Sequence, residues 1–161
     1  MPRTAPYPAY NYLVTFIPHP NNSASVGPRN PNQLLGGFSD VSGLETDIHI
    51  SEYRDGNEAA PHVRKIPGSH KVGDVTLKRG VVDSSDLWAW MIDTQTNGVN
   101  AQRDVVITLL DEAGSPVQAW KLRNVVPMKY TGPTLAGKGG GDVSMEELVL
   151  SAEGYEINKA S

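Results

Sequence analysis

Four histidines, His19, His49, His62 and His70, are the first residues to weigh for chemistry. A neutral imidazole is the commonest metal ligand and a general base near neutral pH. No two of them stand at i and i+4 on a helical segment, and none sits in a metal-ligand cluster. His62 and His70 flank a turn beside Arg64, Lys65 and Lys71, a poor setting for a cation, so a metal centre is not expected. The run Gly137-Lys138-Gly139-Gly140-Gly141 has the look of a phosphate loop. A true one ends in Gly-Lys-Ser/Thr and opens a helix whose backbone N–H groups meet the phosphate. Here Lys138 precedes the last glycines and a strand pattern follows, so the run reads as a flexible turn. Asp111 and Glu112 are adjacent carboxylates, which point apart on a strand or turn and make no acid/base pair. Ser84 and Ser85 have no histidine near them in sequence and read, with Asp86, as a helix N-cap. Trp88, Trp90 and Trp120 could stack a sugar or a base, but at least two of them read as core. No catalytic group emerges, so no enzymatic activity and no cofactor is expected.

The elements that carry these residues are mostly strands. Residues 10–17 alternate Tyr12, Val14 and Phe16 with Asn11, Leu13 and Thr15. A long Pro/Asn/Ser/Gly segment over 18–37 reads as a surface loop. Residues 38–41 form a short strand entering a Ser42-Gly43 turn. Over 44–53, Leu44, Thr46, Ile48 and Ile50 share one parity, and Glu45, Asp47, His49 and Ser51 share the other. Side chains on a strand alternate between faces, so this strand has one dry and one wet face. The turn signal Asp55-Gly56 sits in a polar loop over 54–61, followed by a short basic run at 63–66 and a strand over 72–78. Helical spacing of Leu87, Trp88, Trp90, Met91 and Ile92 predicts one helix over 85–96, stopped by Asn97-Gly98. Two strands at 104–110 and 117–122 follow, joined by a hairpin loop, then a strand over 124–131 interrupted by Pro127, and a last long strand over 143–150.

The chain has 161 residues, enough for one domain with a real core, placed over 10–157 between a flexible segment at 1–9 and a tail at 158–161. A net charge of −4 disfavours a dedicated nucleic-acid binder. No apolar run approaches the roughly 20 residues that cross a bilayer, and the Pro-rich start lacks the apolar stretch of a secretory signal. With no cysteine there are no disulfides and no thiolate sites.

Several motifs recur in a fixed order: Val41-Ser42-Gly43-Leu44, Glu52-Tyr53-Arg54-Asp55-Gly56, Lys65-Ile66-Pro67-Gly68, Val75-Thr76-Leu77-Lys78-Arg79-Gly80, Leu87-Trp88-Ala89-Trp90, Asp111-Glu112-Ala113-Gly114, Trp120-Lys121-Leu122-Arg123-Asn124 and Glu146-Glu147-Leu148-Val149-Leu150. In this order and spacing the chain resembles the inner tail tube proteins of contractile phages, R-type bacteriocins and related contractile injection systems. The 18–37 loop is longer than is typical of that family. The resemblance implies a mostly antiparallel β-sandwich or split barrel with one packed helix, assembling into hexameric rings that stack into a hollow tube. It implies two hairpins per subunit that join those of neighbours in a β-barrel around the lumen. It also implies a sheath protein, baseplate and terminator proteins, and DNA or protein cargo as partners. Assembly in the bacterial cytoplasm, with no membrane insertion by this chain, follows from the same resemblance.

Lys121, Arg123 and Lys129 share one strand parity, and Trp120, Leu122, Val126, Met128 and Tyr130 share the other. Without the resemblance, this face and the wet face at 45–51 read as solvated faces of a monomeric sandwich, and a monomeric β-barrel ligand-binding protein is the alternative. With it, Glu45, Asp47, His49, Ser51, Lys121, Arg123 and Lys129 are expected to line the lumen. Tyr53, Arg54, Asp55, Lys65 and Pro67 are expected at contacts between rings or subunits. Leu87, Met91, Trp120 and Leu122 are expected in the core.

Overall fold

The computed structural model describes residues 4–18, 37–57, 59, 62–81 and 86–159. Nine strands and one α-helix follow in the order β1 (Tyr12–Pro18), β2 (Asp40–Ser42), β3 (Thr46–Tyr53), β4 (Arg64–Val72), β5 (Val75–Gly80), α1 (Asp86–Asn97), β6 (Arg103–Leu110), β7 (Pro116–Thr131), β8 (Met145–Ser151) and β9 (Gly154–Lys159), with a 3-10 turn at Gly98–Ala101. All pairings are antiparallel. One sheet runs β1-β6-β7-β8-β5-β2, with β9 on β7, and β3-β4 forms a separate two-stranded sheet.

The long β7 belongs to both halves of the sandwich. Its first half lies between β6 and β9, and its second half pairs with β8. Between the halves stands Asn124 in the left-handed region, at φ 52°. Asn124 N donates to Asp104 Oδ1, and Asn124 Nδ2 donates to Glu153 Oε2 at 2.9 Å. Strands that switch between packed sheets do so through such bulges. The far edges approach each other as well, since Tyr12 Oη donates to the Phe38 carbonyl at 2.8 Å. Among the described residues the sheet stays open and does not close into a barrel.

Alternation builds the core. Val14 and Phe16 from β1, Val75 and Leu77 from β5, Val105 and Ile107 from β6, Leu122 and Val125 from β7, and Leu148 and Leu150 from β8 all point inward. Leu87 and Trp90, three residues apart on α1, complete it. Trp90 meets the Phe16 ring edge-on at 5.2 Å, and its Nε1 donates to the Ala101 carbonyl. Gly98, at φ +56°, ends the helix where the sequence places its stop.

Several expectations need correction. The segments read as two strands at 117–122 and 124–131 are one strand, because the bulge at Asn124 bends β7 without ending it. That bulge shifts the parity, so Val125 and Pro127 are buried, while Val126, expected on the dry side, is half-buried and Met128 is 53% exposed. A second register shift between Pro127 and Lys129 restores the parity and brings Tyr130 back inward. The basic run expected at 63–66 is a nine-residue strand, with Pro67 and Gly68 inside it at a register shift where β4 carries one extra residue against Ile48–Ile50 of β3. β9 was not expected, and pairing with β7 carries it through Lys159. Of the three tryptophans, Trp90 is fully buried, Trp120 is half-buried against the core, and Trp88 is half exposed. The N-cap cluster at 84–85 and almost all of the 18–37 loop lie outside the described residues.

Candidate assembly surface

The β3–β4 hairpin stands apart from the rest of the fold. Of its strand residues only Val72, at the root, is buried. β3 and β4 pack extensively on each other and on no other element to a comparable degree. The root is a close crossing of two chain segments. Gly73 N donates to the Glu45 carbonyl, and a Cβ on Gly43 (φ +85°) would lie 2.1 Å from the Asp74 carbonyl oxygen. Only glycine fits there. From this root the hairpin carries Ile48, Ile50, Tyr53 and Ile66 into solvent, each between 44% and 56% exposed. The face read as dry, with Ile48 and Ile50, is therefore exposed in the single chain, because among the described residues nothing else covers it.

Pairing register assigns the faces. Asp47 stands opposite Lys71, Ser51 opposite Ile66 and Tyr53 opposite Arg64, so Asp47, His49 and Ser51 share a face with both cations. Thr46, Ile48 and Ile50 lie on the other face, with His70 opposite Ile48 and Pro67 opposite Ile50. Glu45 is exposed just before β3. Tyr53, Arg54, Asp55 and Lys65 cluster at the far end of the hairpin, all exposed, and Pro67 lies midway along it.

A second polar surface covers the outside of β6, β7 and β9. Lys121 Nζ lies 3.9 Å from Asp104 Oδ2, and Arg123 Nη2 lies 2.9 Å from Glu156 Oε1. These are partly exposed pairs, each worth about 0–1 kcal/mol. They set the charge of the surface more than its stability. The structure brings Lys121 and Arg123 together with acids that the sequence reading did not associate with them. Asp104 was legible from its outward parity on β6, whereas Glu156 lies in the strand that was not expected. Lys129 stands apart from both cations, on the half of β7 that pairs with β8, opposite Val149. Leu87 and Leu122 are fully buried, and Met91 and Trp120 pack partly buried against the core.

The groups first weighed for chemistry have structural positions. Asp111 Oδ1 accepts from Ala113 N at 2.9 Å and Ser115 N at 2.8 Å, closing the β6–β7 turn. The 137–141 glycine run belongs to a loop beside an open cavity that Asp40, Lys78 and Glu147 also line, and the element after it is the strand β8. Among the described residues no group of three or more His, Asp or Glu side chains could hold a metal ion. Three tyrosines hold their protons more tightly than usual. A hydrogen bond to Glu146 and then burial raise Tyr130, burial and then Asp40 raise Tyr12, and burial raises Tyr155.

Comparison with known proteins agrees with this geometry. The family model for the T4-like virus tail tube protein gp19 matches residues 8–156. The fold is similar to a chain of the PVC sheath–tube complex of an extracellular contractile injection system in its extended state, with TM-score 0.78 and 25% identity over 98% of this chain and 94% of that chain. It is similar to a chain of the sheath/tube terminator of the same kind of system, with TM-score 0.78 and 26% identity over 96% and 97%. The tube-terminating cap of the anti-feeding prophage gives TM-score 0.77 and 25% identity over 99% and 95%. No curated protein sequence matches the chain. A family match over residues 8–156, and the same open sandwich in sheath–tube, terminator and cap assemblies, lead to one conclusion: the chain belongs to the T4-like virus tail tube protein family and is a structural inner-tube protein of contractile injection systems.

Proposed function

We propose that copies of this chain form hexameric rings that stack into the hollow tube of a contractile phage tail or extracellular contractile particle. The tube conducts DNA or protein cargo and pierces the target envelope when a surrounding sheath shortens. Assembly takes place in the bacterial cytoplasm, with sheath, baseplate and terminator proteins as partners, and no catalytic step is part of the role.

The observation that carries this reading is the β3–β4 hairpin, whose strands bury only Val72 and expose Ile48, Ile50, Tyr53 and Ile66. A two-stranded hairpin is marginal alone in water, and a long exposed edge invites pairing. Neighbouring copies supply the missing cover, and a repeated head-to-tail contact propagates the stack. In this arrangement the face with Glu45, Asp47, His49 and Ser51, and the face with Lys121 and Arg123, line the channel. Tyr53, Arg54, Asp55, Lys65 and Pro67 meet the next subunit or ring. Lys129, on the other half of β7, is left out of the lining. Electron microscopy of the purified protein, with light scattering across concentration, tests the reading. Rings or tubes are expected, and a clean monomer at high concentration refutes it.

A further inference from the structure

A head-to-tail stack joins two different patches at opposite ends of the subunit. The end of the β3–β4 hairpin is one of them, and strand direction locates the other. The hairpin leaves the body where Ser42 of β2 pairs with Thr76 of β5, next to Val75. It packs on no other element to a comparable degree, so it projects beyond this end of the sheet and does not fold back over it. At the other end of the same strands, Asp40 pairs with Lys78, Arg79 with Glu146 and Gly80 with Met145. There the sheet opens into a cavity of about 860 Å³ beside the 132–144 loop.

The cavity is acidic with an apolar wall. Asp40, Asp142 and Glu147 line it against Lys78, whose Nζ lies 3.9 Å from Glu147 Oε2. Glu146 also reaches it but is held by Arg79. On the loop, Leu135 and Val143 line it while 79% and 74% exposed. The hairpin end is the complement. Over residues 53–65 three cations, Arg54, Arg64 and Lys65, stand against two acids, Asp55 and Glu58. Tyr53 is 54% exposed and Val63 38%. Tyrosine and arginine are the side chains that most often anchor a protein contact, and pockets are what they fill.

We propose that the hairpin end of one copy, led by Tyr53 and Arg54, seats in the cavity beside the 132–144 loop of a copy in the adjoining ring. The proposal rests on the tube reading above. Tyr53 packs on Leu135 and Val143, and Arg54 and Lys65 meet Asp40 and Asp142. Each copy carries one hairpin end and one cavity at opposite ends, so the contact repeats along the tube without closing on itself. A contact of hairpin on hairpin would be self-complementary and would stop at a pair.

The test assembles the full chain in solution. Arg54→Glu and Asp142→Arg each bring like charges together in the contact, and their melting is compared with that of the parent. Because the contact repeats around a ring, each is expected to cut the yield of tubes about tenfold or more while rings remain. The double variant is expected to regain tubes. Separately, Asp55→Cys combined with Leu135→Cys, treated with a short bismaleimide, is expected to link tubes into covalent chains of more than six copies, whereas either cysteine alone gives nothing beyond a dimer. Undiminished tubes in both single charge variants overturn the proposal. So does a double charge variant that melts like the parent and forms no tubes. Linked products of six copies or fewer overturn it as well, since the contact then lies within a ring, as do tubes formed as in the parent that do not link. A parent that forms no tubes removes the tube reading itself, and this proposal with it.

Discussion

Arg79 and Glu146 face each other across β5 and β8 inside the fold, 2% and 6% exposed, with Arg79 Nε 2.5 Å from Glu146 Oε1. The second carboxylate oxygen accepts from Tyr130 Oη at 2.7 Å, and the guanidinium lies 5.8 Å from the centre of the Phe38 ring. Removing one partner strands the other charge in a dry site. Arg79→Ala should cost about 3–5 kcal/mol in urea unfolding, whereas an apolar pair such as Arg79→Met with Glu146→Leu should cost much less. An Arg79→Ala protein as stable as the parent would show that water reaches the pair.

Tyr130 links the same network to pH. Its pKa is raised, first by the hydrogen bond to Glu146, then by burial. A raised folded-state pKa means that the protonated phenol is favoured in the fold. The contribution is fully present below the ordinary tyrosine value of about 10 and is lost as pH climbs through the higher folded value. Tyr130→Phe should be less stable than the parent at neutral pH, and the gap should narrow in alkaline unfolding series. Tyr12 and Tyr155 remain in both proteins, so the difference isolates Tyr130. A gap that stays constant through the alkaline range would contradict the assignment.

Asn124 joins the two halves of the sandwich. Its positive φ suits Gly and Asn and penalises a β-branched residue. Asn124→Val should cost more than Asn124→Gly by roughly 1–2 kcal/mol. Asn124→Gly keeps the backbone bond to Asp104 and loses the amide bond to Glu153. Equal losses for both variants, measured by denaturant midpoints at constant m-value, would place the cost in the side chain and not in the backbone.

The core offers a graded comparison. Leu122 is fully buried and Trp120 half-buried at its edge. Leu122→Ala should cost about 2–5 kcal/mol, and Trp120→Ala less than the roughly 3–5 kcal/mol of a fully enclosed tryptophan. Calorimetry of both variants checks the pair, and a negligible effect of Leu122→Ala would mean that the site collapses without a cavity.

What the sequence displayed and what it hid follow from local physics. β1 and β6 were legible because each is a short run rich in β-branched and aromatic residues, and α1 because Leu87, Trp90 and Met91 fall at helical spacing. Where one residue is inserted, parity flips, and nothing in residue types marks the insertion. Asn124 and Pro127 look like strand breakers, yet the backbone absorbs both within β7, so Met128 was assigned to the wrong side. Pro67-Gly68 misled in the same way inside β4, where an edge strand tolerates the missing proline N–H. On the candidate surface, the wet parity of β3 was readable, but the pairing of Lys121 with Asp104 and of Arg123 with Glu156 was not. Those contacts depend on register between strands that are distant in sequence. The apolar face of Ile48 and Ile50 was read as buried because alternation records that a face needs cover, not which chain provides it.

The lumen assignment makes a prediction about accessibility. Asp47 stands on β3 opposite Lys71, and Lys121 stands on β7 within reach of Asp104. Repeated around a ring, such positions become closely spaced bands of mixed charge, and bands of charge decide what a pore passes. With acids and bases interleaved, no single-sign field dominates, so a polyanion or a protein slides without strong adhesion. The chain has no cysteine of its own, so single cysteines can be introduced without background. Asp47→Cys and Lys121→Cys should react with a small thiol reagent along assembled tubes and resist one too bulky for the bore. In the unassembled chain Asp47→Cys should accept both. Val105→Cys, fully buried, should accept neither reagent. Rapid labelling of Asp47→Cys by the bulky reagent along intact tubes would put β3 on the outer wall, and the lumen assignment would then have to be withdrawn.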